Sequence, residues 1–312
     1  MKLLGVLYIV LGVCQGAEAK GNGVDEGYQI WSKERIRYYL TRVQLNPNSA
    51  PLHVQLANAY YADGQLARAR DELLQAVAIQ PKLAAAHCNL AVVLEAQGAL
   101  PEAKAQFEEA VRQDSILVEA RLGLGTLLCR LGQAGEGLVH LERALELDPQ
   151  QQGVRYDLGV AYYRAGDFKR AIEHLEKVLA DDALYSGAAL ALGHAYYHQG
   201  LGYLQAKQAP QALECFARSL QYWKGDEDFF YAKGLAHVAQ QQFAAAEAAF
   251  KETVRLQEGY MPAFQELATL CERTQRPQEA EYYLGQAQKW AARWPMIQAA
   301  RTAQGEVGAW AK

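Results

Sequence analysis

His194 and His198, four residues apart, are the first candidates for chemistry in this 312-residue chain. On a helix that spacing puts both imidazoles on one face, a geometry that can grip a metal ion. The neighbouring sequence offers no third ligand. His140, His174 and Cys215 recur at equivalent places and would form a column on successive helices. Helices about 8–10 Å apart do not converge on one ion with bonds near 2 Å, so these three read as packing or surface residues. No nucleophile elbow, phosphate loop, dinucleotide fingerprint or zinc-protease motif occurs. The carboxylates fall where solvated helix faces are the ordinary explanation. No catalytic residue, metal site or cofactor is therefore assigned, and a non-enzyme is expected. The alternative is a metal-dependent or carbohydrate-processing envelope protein using the histidine-rich centre.

Charge narrows the partners. There are 31 Lys+Arg against 35 Asp+Glu, a net charge of −4. A nucleic-acid binder driven by phosphate neutralisation needs a basic excess, so a protein or peptide partner is expected and nucleic acid is not. Five cysteines are present, one of them Cys14. Cys88 and Cys129 fall on adjacent helices but seven positions out of phase, about 10 Å along the axis. With the lateral spacing added, they cannot reach the roughly 4.4–6.8 Å between Cα atoms that a disulfide needs. The other pairs lie further apart. All four cysteines beyond Cys14 read as small core side chains.

The elements that must position these residues begin after an address. Lys2, the apolar run Leu3–Val13 and the small-x-small site Ala17-Glu18-Ala19 form an export signal over residues 1–19. Eleven apolar residues fall short of the roughly 20 that span a bilayer, and no later stretch is longer, so no transmembrane helix is expected in the mature chain. A periplasmic protein beginning at Lys20 follows. The alternative is a lipoprotein on the periplasmic face of a membrane, with a lipid anchor at Cys14, although Val13 departs from the small residue usual before such a cysteine. Residues 20–26 read as a linker. Residues 28–47 read as a capping helix, so that 20–49 precede the main array.

The rest of the chain repeats. Leu56-Ala57-x-x-Tyr60, Leu90-Ala91-x-x-Leu94, Leu124-Gly125-x-x-Leu128, Leu158-Gly159-x-x-Tyr162 and Leu192-Gly193-x-x-Tyr196 follow one another at steps of 34 residues. Each unit then breaks near Gly64, Gly98, Gly132, Gly166 or Gly200. A second apolar set follows, as in Ala69-Leu73-Ala76 and Ala103-Phe107-Ala110. Large-small-x-x-large, a break, then small-x-x-x-large-x-x-small describes two amphipathic helices, the small residues allowing close approach.

This order resembles the tetratricopeptide repeat (TPR) family. The resemblance covers about residues 50–294 in seven units, starting near Ala50, Ala84, Val118, Gln152, Ser186, Glu227 and Met261. It implies an all-α fold, a right-handed superhelical solenoid of about seven 34-residue helix–turn–helix repeats. Lys233 and His237 depart from the pattern. The fifth and sixth units are 41 residues apart, and the surplus of seven is almost two helical turns. A lengthened first helix from about Ser186 to Gln208 is predicted, with the insertion near 201–208. A loop at Gly200–Gly202 is the competing reading. Trp290, Trp294 and Trp310 are expected to cover the last repeat, with residues 295–312 as a cap or tail.

In this family the concave groove is lined by the first helix of each unit. The resemblance thereby implies a partner-binding groove containing Asn58, Tyr61, Asn89, Tyr156, Tyr163, His194, Tyr197 and Tyr231. Tyrosine supplies an apolar face with a hydrogen-bonding tip. Asn58 and Asn89 also match the asparagines of the clamp with which some members hold a chaperone tail. Val54, Glu119 and Gly123 stand where that clamp needs cations, so a terminal carboxylate is not the expected ligand. A non-catalytic interaction scaffold in assembly of a bacterial envelope complex is the reading that follows.

Overall fold

The computed structural model describes residues 22–185 and 187–304, with side chains from 33 to 299 apart from Ser186. The apolar run 3–13, Cys14, the Ala17–Ala19 site and Trp310 lie outside the described residues. Every regular element among the described residues is an α-helix. The first, α1 (Asn22–Leu45), starts inside the stretch read as linker. Seven helix pairs follow: α2 (Ala50–Ala62) with α3 (Leu66–Ile79), α4 (Ala84–Ala96) with α5 (Leu100–Gln113), α6 (Val118–Arg130) with α7 (Ala134–Leu147), and α8 (Gln152–Arg164) with α9 (Phe168–Asp181). The later pairs are α10 (Ala188–Gln205) with α11 (Ala209–Ser219), α12 (Glu227–Ala239) with α13 (Phe243–Leu256), and α14 (Met261–Arg273) with α15 (Pro277–Ala291). A last helix, α16, covers Trp294–Gln304. Six of the seven first helices begin at the residue the periodicity assigns. Two compact units divide at Ala165–Gly166, inside the fourth repeat.

In the unit that ends at Ala165, α1 packs on α2 through Ile36, Tyr39 and Val43. Leu56, Ala69, Leu73 and Ala76 are fully buried, as are Ala103, Phe107 and Ala110 one repeat later. The small residues let paired helices close on each other, and the large ones fill the interval. In the unit that starts at Gly166, Phe216, Phe229 and Phe250 are the largest fully buried side chains. Trp294 is buried against Tyr260, and Trp290 packs on the same cluster.

Between the two helices of each repeat one residue adopts left-handed backbone. Gly64, Gly98, Gly132 and Gly166 do so with φ of 75–82°. Lys207, Gln241 and Gln275 take the same position in the last three repeats, with φ of 58–59°. The following N–H then bonds the carbonyl five residues back, as from Gln65 to Tyr60 at 2.8 Å and from Gln208 to Tyr203 at 2.8 Å. Glycine suits this conformation; other residues carry about 1–2 kcal/mol of strain there.

The fifth repeat corrects one expectation. Gly200 is not its break: α10 runs unbroken through Gly200–Gly202, ends at Gln205, and turns at Lys207. Gly200 is a packing glycine, since a Cβ there would stand 2.6 Å from the Phe216 ring. The helix has 18 residues against 13 in its counterparts. Counted back from the sixth repeat, 193–205 is the regular helix. The surplus therefore lies at the N-terminal end, not near 201–208. The spacing surplus is seven residues, five of them helical (188–192), and a shift of seven, almost two turns, leaves the buried face unrotated, so the insertion is absorbed without a loop.

Candidate functional site

The first helices of residues 50–165 present a graded face. Val54, Asn58, Cys88, Asn89, Val92, Glu95 and Leu122 are buried, whereas Tyr61, Thr126, Tyr156, Val160 and Tyr163 are half-buried. Arg130 and Arg164, in the last turns of α6 and α8, are exposed. Position along the helix explains this order, because Tyr156 and Tyr163 are seven residues and two turns apart on one side of α8.

Polar groups on this face are tied together across repeats. Asn89 donates its amide to Asn58 Oδ1 at 2.9 Å. Arg130 bridges to Glu95, joining α6 to α4. Burial pushes the Glu95 carboxyl up from its ordinary value, and the Arg130 cation opposes this. Burial likewise raises the Tyr61 phenol, with the Glu95 charge adding to it, and takes Tyr163 to about 12. Asp157 is pushed up to about 7 by its surroundings, against the pull of Arg164.

Sequence reasoning missed a second set of contacts. His53 Nε2 meets Pro47 O at 2.9 Å and His87 Nε2 meets Pro81 O at 2.9 Å. Arg121 Nε donates to Ser115 O at 2.6 Å and Arg155 Nη2 to Pro149 O at 2.5 Å. One position of four successive repeats thus ties the preceding turn to the next first helix. The 34-residue spacing of His53, His87, Arg121 and Arg155 was the available signal. It went unused because histidine and arginine lie outside the apolar pattern.

In residues 166–312 the centre of α10 is aromatic core. Tyr197 is 9% exposed and surrounded by Phe216, Trp223 and Phe229, with ring centroids 5.4–6.1 Å away. It is a core residue rather than a groove anchor: α10 meets both α11 and the start of α12 at this point. His194 lies against Trp223 at 4.4 Å and His198 stacks on Phe168 at 5.3 Å. Burial lowers both imidazoles, His194 to about 4 with His198 contributing. Among the described residues, no three His, Cys, Asp or Glu side chains gather as a metal would require. Tyr231 is half-buried and packs on Phe250 and Tyr260. Cys88, Cys129, Cys215 and Cys271 are buried free thiols. Of the expected groove residues, Asn58, Tyr61, Asn89, Tyr156 and Tyr163 lie on first helices of one unit. His194, Tyr197 and Tyr231 belong to the other.

Tetratricopeptide repeat models match residues 130–183, 199–260 and 231–295, and a TPR repeat model matches residues 57–98. Together these segments exceed half of the chain. Among solved structures, YrrB, a TPR protein with an unusual peptide-binding site, is 23% identical. It aligns over 65% of this chain and 97% of its own, with a TM-score of 0.51. The C-terminal part of a TPR repeat-containing protein from Cytophaga hutchinsonii is 17% identical over 76% of this chain and 94% of its own, with a TM-score of 0.55. Both likenesses concern the fold. No curated protein matches the chain.

Proposed function

Because the chain belongs to the tetratricopeptide repeat family, whose repeats build protein-interaction scaffolds, we propose that it is a non-catalytic scaffold that holds a segment of a partner protein on the first-helix face of residues 50–165. The observation that carries this reading is the pair Tyr156 and Tyr163. They are half-buried, two turns apart on α8, and flanked by Asp157 and Arg164. Tyrosines fixed by packing lose little side-chain freedom on binding, and the neighbouring charges supply orientation. Tyr61 and the Glu95–Arg130 bridge extend the same face. YrrB, of the same fold, carries a peptide-binding site, which agrees with this use of the architecture. The export signal and small-x-small site favour a role in assembly of a bacterial envelope complex. The chain would be periplasmic, or anchored at Cys14 in the alternative.

Capture of partners from envelope extracts by the wild type, Tyr156→Ala and Tyr163→Ala tests it, with circular dichroism confirming intact helices. Truncating an anchor typically costs about 2 kcal/mol or more, a loss of roughly 30-fold in affinity. Folded variants that retain every wild-type partner at full strength would move the site elsewhere.

A further inference from the structure

We propose that the outward face of α1 rests on an anionic phospholipid surface. One side of this helix is committed, since Ile36, Tyr39 and Val43 pack into the core of the first repeat. The other side carries Arg37, Tyr38, Arg42 and Leu45, all exposed, with Tyr38 54% and Leu45 74% accessible. Arg42 Nη1 donates to the Tyr38 hydroxyl at 2.7 Å, and its guanidinium lies 5.6 Å from the ring centroid. The two side chains therefore present one cationic, amphipathic group.

Charge selects the occupant. From Lys33 to Leu45 four cations, Lys33, Arg35, Arg37 and Arg42, face one carboxylate, Glu34, in a chain whose net charge is −4. Asp25 and Glu26 lie at the far, N-terminal end of the helix. Tyrosine favours the headgroup level, leucine the acyl boundary just below it, and arginine the anionic headgroups. Sequence supplies proximity. Cys14, the lipid anchor of the alternative address, lies eight residues before Asn22. That is at most about 28 Å of extended chain, so a lipid on Cys14 keeps α1 within reach of the headgroups. No described helix is long and apolar enough to cross a membrane, so α1 lies on the surface rather than through it. This proposal does not depend on the first-helix face and tests a different part of the molecule.

The experiment is co-sedimentation of the full chain with phosphatidylglycerol vesicles and with phosphatidylcholine vesicles, in low and in high salt. Wild type should prefer phosphatidylglycerol, and high salt should remove the preference. Each arginine near an anionic surface is worth about a fivefold change, so Arg37→Gln with Arg42→Gln should weaken that binding about thirtyfold. Leu45→Glu should weaken it as well. A control pair on the second helices of the same unit, Arg112→Gln with Arg143→Gln, should leave binding unchanged, with helicity intact throughout. Equal binding to both lipids, no binding to either, equal loss in the control pair, or full binding by the α1 variants would overturn the proposal. In the last case the binding comes from outside α1, and an acidic protein partner becomes the occupant to seek for α1.

Discussion

Asn89 donates its side-chain amide to Asn58 Oδ1 across 2.9 Å, linking the first helices of consecutive repeats through two buried side chains. The pair serves as mortar between repeats at the positions where the family resemblance places ligand-contacting asparagines. A buried polar atom stripped of its partner costs about 1–3 kcal/mol. Asn89→Ala should lower stability by that amount, and adding Asn58→Ala should cost less than the sum of the singles. A double-mutant cycle by urea denaturation measures this; strict additivity would show that the bond contributes nothing.

The left-handed turns predict opposite effects from mirror-image substitutions. No atom lies within 4 Å of a Cβ built at Gly98, so Gly98→Ala meets only backbone strain there. It should destabilise by about 1 kcal/mol. Gln241→Gly and Gln275→Gly relieve the same strain and should stabilise, or at worst be neutral, because glycine also loosens the unfolded chain. Thermal unfolding of the three variants decides it. A glycine that clearly destabilised at 241 or 275 would mean that the glutamine side chain matters more than its φ.

Gly200 and Gly202 sit two residues apart in α10 and should respond in opposite directions. At Gly200 a methyl group would enter the Phe216 ring, and Gly200→Ala should cost about 1–3 kcal/mol. Gly202 has open space, so Gly202→Ala should gain up to about 1 kcal/mol from helix propensity. Hydrogen exchange should place both changes first in α10 and its neighbours, because repeats touch only adjacent repeats. Matching effects at the two sites would argue against an unbroken helix.

Asp157 makes stability depend on pH. Its carboxyl is raised from 3.8 to about 7 in the folded chain, so the folded state holds the proton more tightly than the unfolded one. Its contribution to stability is unpenalised below about pH 4, declines as pH rises, and is lowest above about pH 7. Asp157→Asn should remove this slope and leave the protein more stable than wild type at pH 8, by about 1–3 kcal/mol. Denaturation midpoints from pH 4 to 8 provide the check. A wild-type curve already flat across that interval would place Asp157 in solvent.

The 34-residue period, with the recurrent small and large residues that carry it past the 41-residue step, determined the repeat count, the helix pairs and six of seven first-helix starts. Ala57, Leu73 and Ala76 carry that information because close helix approach demands small and large residues in fixed order. The period also held the true break of the fifth repeat, 34 residues before Gln241, but Lys207 has no composition that marks a left-handed turn. Gly200 was the more conspicuous residue, and its reason is the Phe216 ring, which only packing reveals. Tertiary structure likewise decided which aromatics are anchors and which are core. Tyr156 and Tyr197 stand on comparable faces in sequence. Yet Phe216, Trp223 and Phe229 surround Tyr197, while Tyr156 stays half-open. Periodicity assigns a side chain to a face of its own helix; what covers that face depends on helices distant in sequence, whose approach is set by the packing of the whole repeat.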